Sequence, residues 1–374
     1  MRITTPRVLA LLCAALLSWY TFQVAPDLAD RERRAAAARA DAALPPTTVL
    51  PKDEPTPDRP GTQTPRVSFP AAGKAFIGVF TSAGTHNFTE GAEFARQTRH
   101  RPQVYEFSAD WATDHFEAEA INRVARRGML PMIAWEPWDH TAEAEEPTLR
   151  GEQPDYRLSR IIHGSFDPYI RSWALGIKSL RYPVAIRFAH EMNGYWYPWC
   201  EQSNSNRRGD YVRAWRHVHK IFDAVGARNA VWVWSPNVSY TNSTALTRLY
   251  PGDAYVDWVG LSGYYGTVGK ENYQSFDHLF GPTRTELRRF TRKPLVITEL
   301  GATDAAGRKA EWITDMFRAL PRHRDIIGII WYQAVKEIDW RVGTSHASSA
   351  AFTAGASASR YQQPWGPGMT PRFR

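Results

Sequence analysis

The stretch that decides the fold reads Val184-Ala-Ile-Arg-Phe-Ala-His-Glu-Met-Asn-Gly-Tyr-Trp196. Its first part, Val184 to Phe188, is short and mostly apolar, which is typical of a strand buried on both faces. Polar and aromatic residues follow at once, among them Glu191. A second run of this kind, Leu295 to Thr298, leads directly into Glu299. A buried carboxyl group is unfavourable by several kcal/mol unless it is paired or neutral, so two such positions indicate a functional site rather than chance.

Short apolar runs alternate with amphipathic stretches throughout the middle of the chain. The runs have the length and β-branched content of buried strands, and they number eight: 76–80, 104–107, 130–135, 184–188, 230–234, 258–261, 295–298 and 326–331. The stretches between them predict helices, for example over 117–127, 210–225 and 310–319. Eight strand–helix alternations in a single catalytic domain favour an α/β fold of the (β/α)8 TIM-barrel class over an open doubly wound sheet.

In such a barrel, catalytic residues lie at the C-terminal ends of the strands. Glu191 and Glu299 follow the fourth and seventh runs. Glycoside hydrolysis requires two carboxyl groups in different protonation states, because one protonates the leaving oxygen and the other attacks the anomeric carbon. Tyr264, which follows the sixth run, is expected to hydrogen-bond Glu299. The competing interpretation is that both glutamates form ion pairs at the barrel mouth with Arg187 or Lys293.

Two segments resemble motifs of a known enzyme family. Residues 187–199, Arg-Phe-Ala-His-Glu-Met-Asn-Gly-Tyr-Trp-Tyr-Pro-Trp, resemble the acid/base motif of glycoside hydrolase family 26, the family of β-mannanases. Residues 297–301, Ile-Thr-Glu-Leu-Gly, are similar to the nucleophile strand of that family and of the wider clan of retaining barrels. The resemblance covers about residues 76–342. It implies retaining hydrolysis of internal β-1,4 linkages in mannan, without a cofactor or a metal ion.

The resemblance also implies a role for each matching position. Glu191 would be the acid/base and Glu299 the nucleophile. The supporting residues, which tune or orient these two glutamates, would be His190, Tyr264 and Asn193. The residues that bind the sugar would be Trp135, Trp196, Trp340 and Arg341. A histidine that the mannanases use early in the barrel has no match here, so the identity of the sugar stays open.

Other substrates and one other class of function fit the same residues. Within this fold, the chain could be a β-1,3-1,4-glucanase or a β-1,3-xylanase. From a different class, it could be a catalytically weak glycan-binding barrel in envelope polysaccharide export, although the presence of both glutamates and Tyr264 argues against that role. A zinc-protease helix is excluded, because Gly194 stands where the second histidine would be required.

The two ends of the chain differ from the barrel in composition. Arg2 and Arg7 precede an apolar run from Val8 to Phe22, which is the order found in export signals. We therefore predict a signal peptide or a signal anchor over 1–25, a flexible linker rich in Pro, Ala and Arg over 26–73, the catalytic domain over 74–345 and a loose tail over 346–374. The protein would then be secreted or anchored on the outer face of the cytoplasmic membrane.

Charge and cysteine content bear on other partners. The chain has 374 residues and a formal net charge of +8. Its arginines are scattered along the sequence without a nucleic-acid motif, so we interpret the charge as general solvation and expect no nucleic-acid partner. Only Cys13 and Cys200 are present, so no internal disulfide framework is predicted. We expect a monomer whose partner is a polysaccharide substrate.

Overall fold

A computed structural model describes residues 67–143, 150–267, 272–304 and 307–372. Parallel strands close into one barrel in sequence order: β1 Phe76–Phe80, β2 Val104–Asp110, β3 Leu130–Glu136, β4 Val184–Phe188, β5 Ala230–Trp234, β6 Trp258–Tyr265, β7 Leu295–Ala302 and β8 Ile326–Tyr332. The predicted (β/α)8 barrel is thereby confirmed. The strands are buried over almost their whole length, because helices cover the outer face and side chains fill the interior.

Helices cover the outside of the barrel between successive strands. They are α1 Thr89–Thr98, α2 Ala118–Arg126, α3 Leu158–Ile162, α4 Asp167–Leu180, α5 Asp210–Val225, α6 Leu246–Leu249, α7 Phe276–Leu287, α8 Lys309–Ala319 and α9 His346–Ala356. The helices predicted over 117–127, 210–225 and 310–319 correspond to α2, α5 and α8. The connection after β5 is different, since its helix α6 is a single turn.

Strands β6 and β7 continue beyond the predicted ends at residues 261 and 298. The register between them shifts between Gly260 and Ser262, which is the mark of a bulge or irregularity. Beyond the shift, Ser262 pairs with Glu299 and Tyr264 pairs with Gly301. Irregular pairing of this kind re-aims side chains and is common next to active sites. Tyr264 and Glu299 therefore lie on paired strands rather than on loops.

Both ends of the described chain close the bottom of the barrel, where the strands begin. Ser68–Phe69 pairs in parallel with Thr370–Pro371. Phe69 is buried and stacks on Phe76, with ring centroids 5.7 Å apart. We expected the linker to extend to residue 73, but the structure instead makes this segment part of the domain, because the ring of Phe69 belongs to the core. The domain therefore includes Ser68–Phe69.

The tail expected to be loose over 346–374 is instead structured as far as the structure describes it. A capping box at Ser345 begins α9. Phe352 on this helix lies among aromatic rings of α1, α8 and β8. Trp365 belongs to the hydrophobic cluster at the bottom of the barrel. A few large buried rings therefore order a segment whose composition, rich in Ser, Ala and Gly, suggests little structure.

The predicted signal segment and most of the predicted linker lie in residues 1–66, outside the described residues. Their boundaries stay predictions. Within the ranges that the structure describes, no helix has the length and apolar character needed to cross a membrane.

Candidate active site

Glu191 follows β4 in a strained segment at the C-terminal end of the barrel. Ala189 and Glu191 have φ angles of 43° and 54°, a region that non-glycine residues adopt at a cost of about 1 to 3 kcal/mol each. Neighbouring side chains hold this backbone. The hydroxyl of Tyr211 donates to the carbonyl of Ala189 at 3.1 Å, and the indole of Trp199 donates to the carbonyl of His190 at 2.6 Å. The surrounding fold thus stabilises a conformation that the segment would not favour alone.

The carboxyl group of Glu191 accepts hydrogen bonds from two side-chain N–H groups. The indole N–H of Trp196 lies 3.0 Å from Oε2, and the amide nitrogen of Asn237 lies 3.0 Å from Oε1. Burial and the negative charge of Glu299 raise the pKa of Glu191 to about 7, whereas Arg187 and hydrogen bonds from Trp196 and Ser262 favour the ionised form. A carboxyl group with a pKa near neutrality can both release and accept a proton, as a general acid/base must.

Glu299 lies on β7 and is held by two donors. Nη1 of Arg187 donates to Oε2 at 2.8 Å, and the hydroxyl of Tyr264 donates to Oε1. The contact expected between Tyr264 and Glu299 is therefore present. Burial and the charge of Glu299 raise the pKa of Tyr264 well above its ordinary value, so its hydroxyl remains a neutral donor. Both donors stabilise the ionised carboxylate, which is the form that a nucleophile needs.

Arg187 connects this glutamate to a second buried acid. Its Nη1 also donates to Oε1 of Glu106 at 3.1 Å, and its Nη2 donates to the hydroxyl of Ser262 at 2.7 Å. Burial alone would lower the pKa of Arg187, but the charges of Glu106 and Glu299 raise it. The ion pair considered as an alternative to catalysis exists for Glu299 and Arg187, while Lys293 precedes β7 at the other end of the barrel. Such a pair is compatible with a nucleophile, because the guanidinium holds the carboxyl group in place at the C-terminal end of the barrel.

Glu106 is a site residue that sequence reasoning missed. It is fully buried on β2, and burial together with the charge of Glu299 raises its pKa to about 8, against the opposing effect of Arg187. The signal was present in the sequence, because Glu106 and Arg187 each interrupt an apolar run. Buried charges of opposite sign require partners, and these two interruptions could have been matched with each other.

Asn193 acts on the site through a second missed residue, Asn237. The side chain of Asn193 accepts from the backbone N–H of Asn237 at 2.9 Å and donates to its carbonyl at 2.9 Å. The side chain of Asn237 in turn contacts Glu191. Asn193 therefore fixes the loop that presents Asn237. The signal for Asn237 was its position three residues after β5, at the catalytic end of the barrel.

His190 occupies an aromatic environment under the loop. Its ring lies against Tyr197 and Trp199, with centroids 5.1 Å and 5.7 Å away. Burial and the charge of Arg187 lower the pKa of His190 well below its ordinary value, so the imidazole is neutral. Within the described residues, no hydrogen bond joins His190 to the carboxyl group of Glu191. Its predicted tuning of the acid/base stays a prediction, without a direct contact to support it.

Trp196 contacts Glu191, and Trp340 contacts the tyrosine that binds Glu299. A Cβ atom at Gly194 would lie 2.6 Å from the ring of Trp196, so the absence of a side chain lets the ring fold over the loop. The ring of Trp340 contacts Tyr264, with centroids 4.6 Å apart. A Cβ atom at Gly301 would lie 3.0 Å from Trp340. Trp196 therefore lies beside Glu191, and Trp340 lies beside Tyr264, while their roles in sugar binding stay predictions.

Trp135 does not lie in the site, and its predicted role in sugar binding is wrong. It is buried between the barrel and helices α4 and α5, against the rings of Trp173 and Phe222. Successive side chains of a strand point to opposite faces. The next residue, Glu136, takes the inward position and accepts a hydrogen bond from Ser108 at 3.1 Å, so Trp135 points outward into the core.

Arg341 lies at the exposed rim of the barrel. Its guanidinium pairs with Asp339, with Nη2 and Oδ2 2.6 Å apart. The ammonium group of Lys309, which is buried, donates to the carbonyl of Arg341 at 2.6 Å and to the hydroxyl of Thr344 at 2.8 Å. The loop that carries Trp340 and Arg341 is thereby held from behind. A sugar that binds Arg341 would have to share it with Asp339.

These environments separate the two glutamates chemically. Glu191 has a pKa near neutrality, and Glu299 is paired with a cation. In the described part of the chain, no group of three or more His, Cys, Asp or Glu side chains could hold a metal ion. A parallel eight-stranded barrel that carries one carboxyl group after β4 and another on β7 has the fold and site of the glycoside hydrolase class of barrels.

Comparison with known proteins identifies the family within this class. The family model for glycosyl hydrolase family 26 matches residues 149–313. The barrel domain belongs to this family. It is similar to endoglucanase H of Acetivibrio thermocellus, with 33% identity over 257 residues, which are 67% of this chain and 27% of that protein. It is also similar to a mannan endo-1,4-beta-mannosidase of Bacillus subtilis, with 29% identity over 168 residues, which are 44% of this chain and 40% of that protein.

Solved structures show the same fold. A mannanase of Bacillus subtilis, BCman, superimposes with a TM-score of 0.56 at 20% identity, over 81% of this chain and 91% of that one. The β-mannanase BoMan26A of Bacteroides ovatus gives a TM-score of 0.55 at 14% identity, over 77% and 90% of the two chains. The chain spans only 27% and 40% of the length of the two curated relatives described above.

Proposed function

We propose that this protein is a retaining glycoside hydrolase that cleaves internal β-1,4-mannosidic linkages of mannan-type polysaccharide. The observation that carries the proposal is the contrast between the two glutamates. Glu191 is buried with a pKa raised to about 7, whereas Glu299 accepts hydrogen bonds from Arg187 and Tyr264. One carboxyl group suited to hold a proton and one suited to stay ionised are the two parts of a double-displacement mechanism.

The first half of the proposed reaction forms a covalent ester. An oxygen of Glu299 attacks the anomeric carbon while the carboxylic acid of Glu191 gives its proton to the glycosidic oxygen. The bond from the anomeric carbon to the leaving sugar breaks as the bond to Glu299 forms. In the second half, ionised Glu191 takes a proton from water, whose oxygen attacks the anomeric carbon and breaks the ester. Two inversions at one carbon restore the original configuration.

The shared arginine suits this cycle. Esterification removes the negative charge of Glu299, so Arg187 would lose one anionic partner in the intermediate. Glu106 remains within 3.1 Å of the same Nη1 atom and can stay paired with the guanidinium. A buried arginine without any anionic partner would be strongly unfavourable. The charge of Glu299 is one cause of the raised pKa of Glu106, so its loss on esterification favours ionisation of Glu106. We infer that Glu106 then becomes the anionic partner of Arg187 in the intermediate.

Mannan is the first candidate substrate, and a β-glucan is the second. The proteins named as mannan endo-1,4-beta-mannosidases among the relatives favour mannan. The relative named endoglucanase H has 33% identity over 67% of the chain, which favours a β-1,3-1,4-glucan or a related glucan. Relatives named β-1,3-xylanases match at 24% and 26% identity, so β-1,3-xylan is a third candidate substrate.

The setting of the reaction is also part of the proposal. The apolar run between Val8 and Phe22 supports secretion or anchoring on the outer face of the cytoplasmic membrane, where a polysaccharide is accessible. The reaction as written uses no cofactor and needs only one copy of the barrel. We therefore propose a monomer that acts on an extracellular polysaccharide.

Incubation with mannan, lichenan, β-1,3-xylan and carboxymethyl cellulose tests the proposed function, with NMR of the first products. We expect soluble oligosaccharides from mannan, initially with the β configuration at the new reducing end. Cleavage of lichenan alone would move the assignment to the β-glucanase candidate. Products that initially have the α configuration would contradict retention. Binding without turnover on every polymer would support the glycan-binding alternative and reject hydrolysis.

A further inference from the structure

The bottom of the barrel carries a concentration of exposed cations. It is formed by the loops that lead from each helix to the next strand, on the opposite end from Glu191 and Glu299. We define the basic face by six exposed arginines in four of these loops: Arg99, Arg101, Arg181, Arg289, Arg292 and Arg324. These arginines lie far apart in the sequence, so the sequence alone suggests that their charge serves general solvation. The barrel brings them to one end of the molecule.

Contacts between neighbouring loops show that they share this face. The ammonium group of Lys178, at the end of α4, donates to the carbonyl of Val225, at the end of α5, at 2.9 Å. The amide of Asn229, before β5, donates to the carbonyl of Tyr182, before β4, at 2.9 Å. Farther around the barrel, Arg360 donates to the carbonyl of Leu320 at 3.2 Å. These contacts join neighbouring helix ends and loops, and the closed barrel places all such loops at the same end of the domain.

Positions in the last turn of a helix do not account for the charges on the basic face, although Arg292 donates to the carbonyl of Arg288 at 2.8 Å. Cations in the last turn of a helix stabilise the negative end of its dipole, and Arg96, Arg126 and Arg318 have such positions. The six arginines of the basic face lie beyond the last helical residue. In the part of the chain that the structure describes, none of the six forms an ion pair, whereas Arg96 and Arg126 do.

Acidic groups on this face are few or already paired. Asp325, beside the start of β8, is bound by Arg284 and Arg288, with N···O distances of 2.7 Å to each. Asp253, before β6, is exposed and interrupts the positive surface on one side. The buried carboxyl groups Glu106, Glu136 and Glu191 lie toward the catalytic end. On this face the six exposed arginines therefore outnumber the exposed acidic groups, of which Asp223, near the end of α5, is a second.

The polypeptide also enters the domain at this face. Ser68–Phe69 pairs with Thr370–Pro371 beneath the barrel, and the chain before it contains the apolar run from Val8 to Phe22. We propose that the basic face docks on a membrane surface that contains anionic phospholipids, with the catalytic end pointing away from the bilayer. Exposed Lys and Arg are attracted to such a surface. A polysaccharide could then reach Glu191 and Glu299 while the domain rests on the membrane.

Vesicle binding of the full chain tests this orientation. We would measure partitioning onto vesicles of phosphatidylcholine alone and of phosphatidylcholine mixed with phosphatidylglycerol. The ratio of the two partition coefficients isolates the charge effect, since insertion of an apolar leader contributes to both. The triple variant R101Q/R289Q/R324Q should lower this ratio by roughly a hundredfold, because each cation contributes about fivefold near an anionic surface. Added salt should lower the wild-type ratio as well.

A matched control removes the same amount of charge elsewhere. R171Q/R207Q/R208Q replaces three exposed arginines on the side of α4 and in the loop before α5, at the catalytic end. This variant should keep a ratio close to that of the wild type. Equal losses in the two triple variants would overturn the proposal, because they would show an effect of net charge alone. Wild-type binding to DNA or heparin without any preference for anionic vesicles would overturn it in favour of a soluble polyanion.

Chemical labelling gives a second measurement that needs no variant. Phenylglyoxal modifies accessible arginines, and mass spectrometry locates the modified residues. On anionic vesicles, labelling of Arg101, Arg289 and Arg324 in the wild-type chain should fall severalfold, while that of Arg207 and Arg208 should not change. On vesicles of phosphatidylcholine alone, both sets should label as in solution. Protection of Arg207 and Arg208 instead would place the catalytic end on the membrane and reject the proposed orientation.

Discussion

The side-chain amide of Asn237 donates to Oε1 of Glu191 at 3.0 Å. A hydrogen bond to the charged form of an acid lowers its pKa, so this contact opposes the effect of burial on Glu191. Asn193 holds the backbone of residue 237 through its N–H and carbonyl groups, and this support does not depend on the side chain there. Replacement of the Asn237 side chain should therefore remove the hydrogen bond to Glu191 without releasing the loop.

The substitution Asn237→Ala should shift the alkaline limb of the pH profile of kcat/KM to higher pH. The acid must be protonated, and activity on polymer should fall in the wild type as pH rises through about 7. Loss of the amide donor raises the pKa of Glu191, and we expect a shift of the limb by about one pH unit. Thr241→Ala, an exposed position on the same loop, is the control. An unchanged limb with lower kcat would mean that Asn237 only shapes the loop.

Glu106→Gln should flatten the dependence of stability on pH. Burial raises the pKa of Glu106 from 4.5 to about 8 in the folded state, so the folded protein holds a proton that the unfolded chain has released. The stabilisation is complete below pH 4.5 and is lost as pH rises through about 8. Denaturant unfolding across this window should give a steeper decline in the wild type, by up to about 1.4 kcal/mol per pH unit. Glu119→Gln, an exposed carboxyl group on α2, should behave as the wild type, and parallel slopes for all three proteins would disprove the assignment.

Substitution of the two glutamates should give different substrate dependence. Glu299→Ala should abolish activity on all substrates, because attack by the nucleophile is needed in every turnover. Glu191→Ala should lower polymer cleavage by roughly 10² to 10⁴-fold but should spare formation of the intermediate from an activated aryl glycoside. Azide should then restore turnover and yield a β-glycosyl azide from a β-glycoside. An inverted azide product from the Glu191 variant would show that the two glutamates have the opposite roles. The control is Glu337→Ala, which replaces an exposed carboxyl group at the same end of the barrel.

Trp196→Ala should weaken turnover of polymer by roughly 1 to 3 kcal/mol in kcat/KM, since a large ring beside Glu191 is removed. The ring also carries the N–H that donates to Glu191 at 3.0 Å. Trp196→Phe separates these contributions, because it retains a stacking face and removes the donor. A Phe variant with wild-type efficiency on polymer would show that stacking dominates. Full efficiency in the Ala variant would make Trp196 a purely structural residue.

Removal of the N-terminal segment should be tolerated only while the strand Ser68–Phe69 is kept. A chain that begins at residue 67 retains the strand Ser68–Phe69, whereas a chain that begins at residue 73 loses it. The second truncation removes the buried ring of Phe69 and should destabilise the domain by about 3 to 5 kcal/mol in urea unfolding. Phe69→Ala in the full chain should show a similar loss, and Val67→Ala, at an exposed position, should show none. Equal stability of the two truncations would return the boundary to residue 73.

The sequence by itself determined the barrel and the places of its two glutamates. Strands buried on both faces are apolar along most of their length, so the eight runs are visible in the sequence itself. In a parallel barrel the strand ends converge at one end, so Glu191, Tyr264 and Glu299 could be expected near one another. These inferences depend on local composition and on the rule that strand ends converge in a parallel barrel. Neither requires knowledge of which distant residues are in contact.

The tertiary structure alone decided which faces and which distant residues meet. A strand's side chains alternate between faces, so a one-residue difference in phase sends Trp135 into the core and Glu136 toward the site. Glu106 and Arg187 come from β2 and β4, and their pairing requires the closed barrel. The order of the C-terminal segment depends on contacts of Phe352 with residues distant in sequence. The six arginines of the basic face share no sequence motif, because only the convergence of the helix-to-strand loops brings them together.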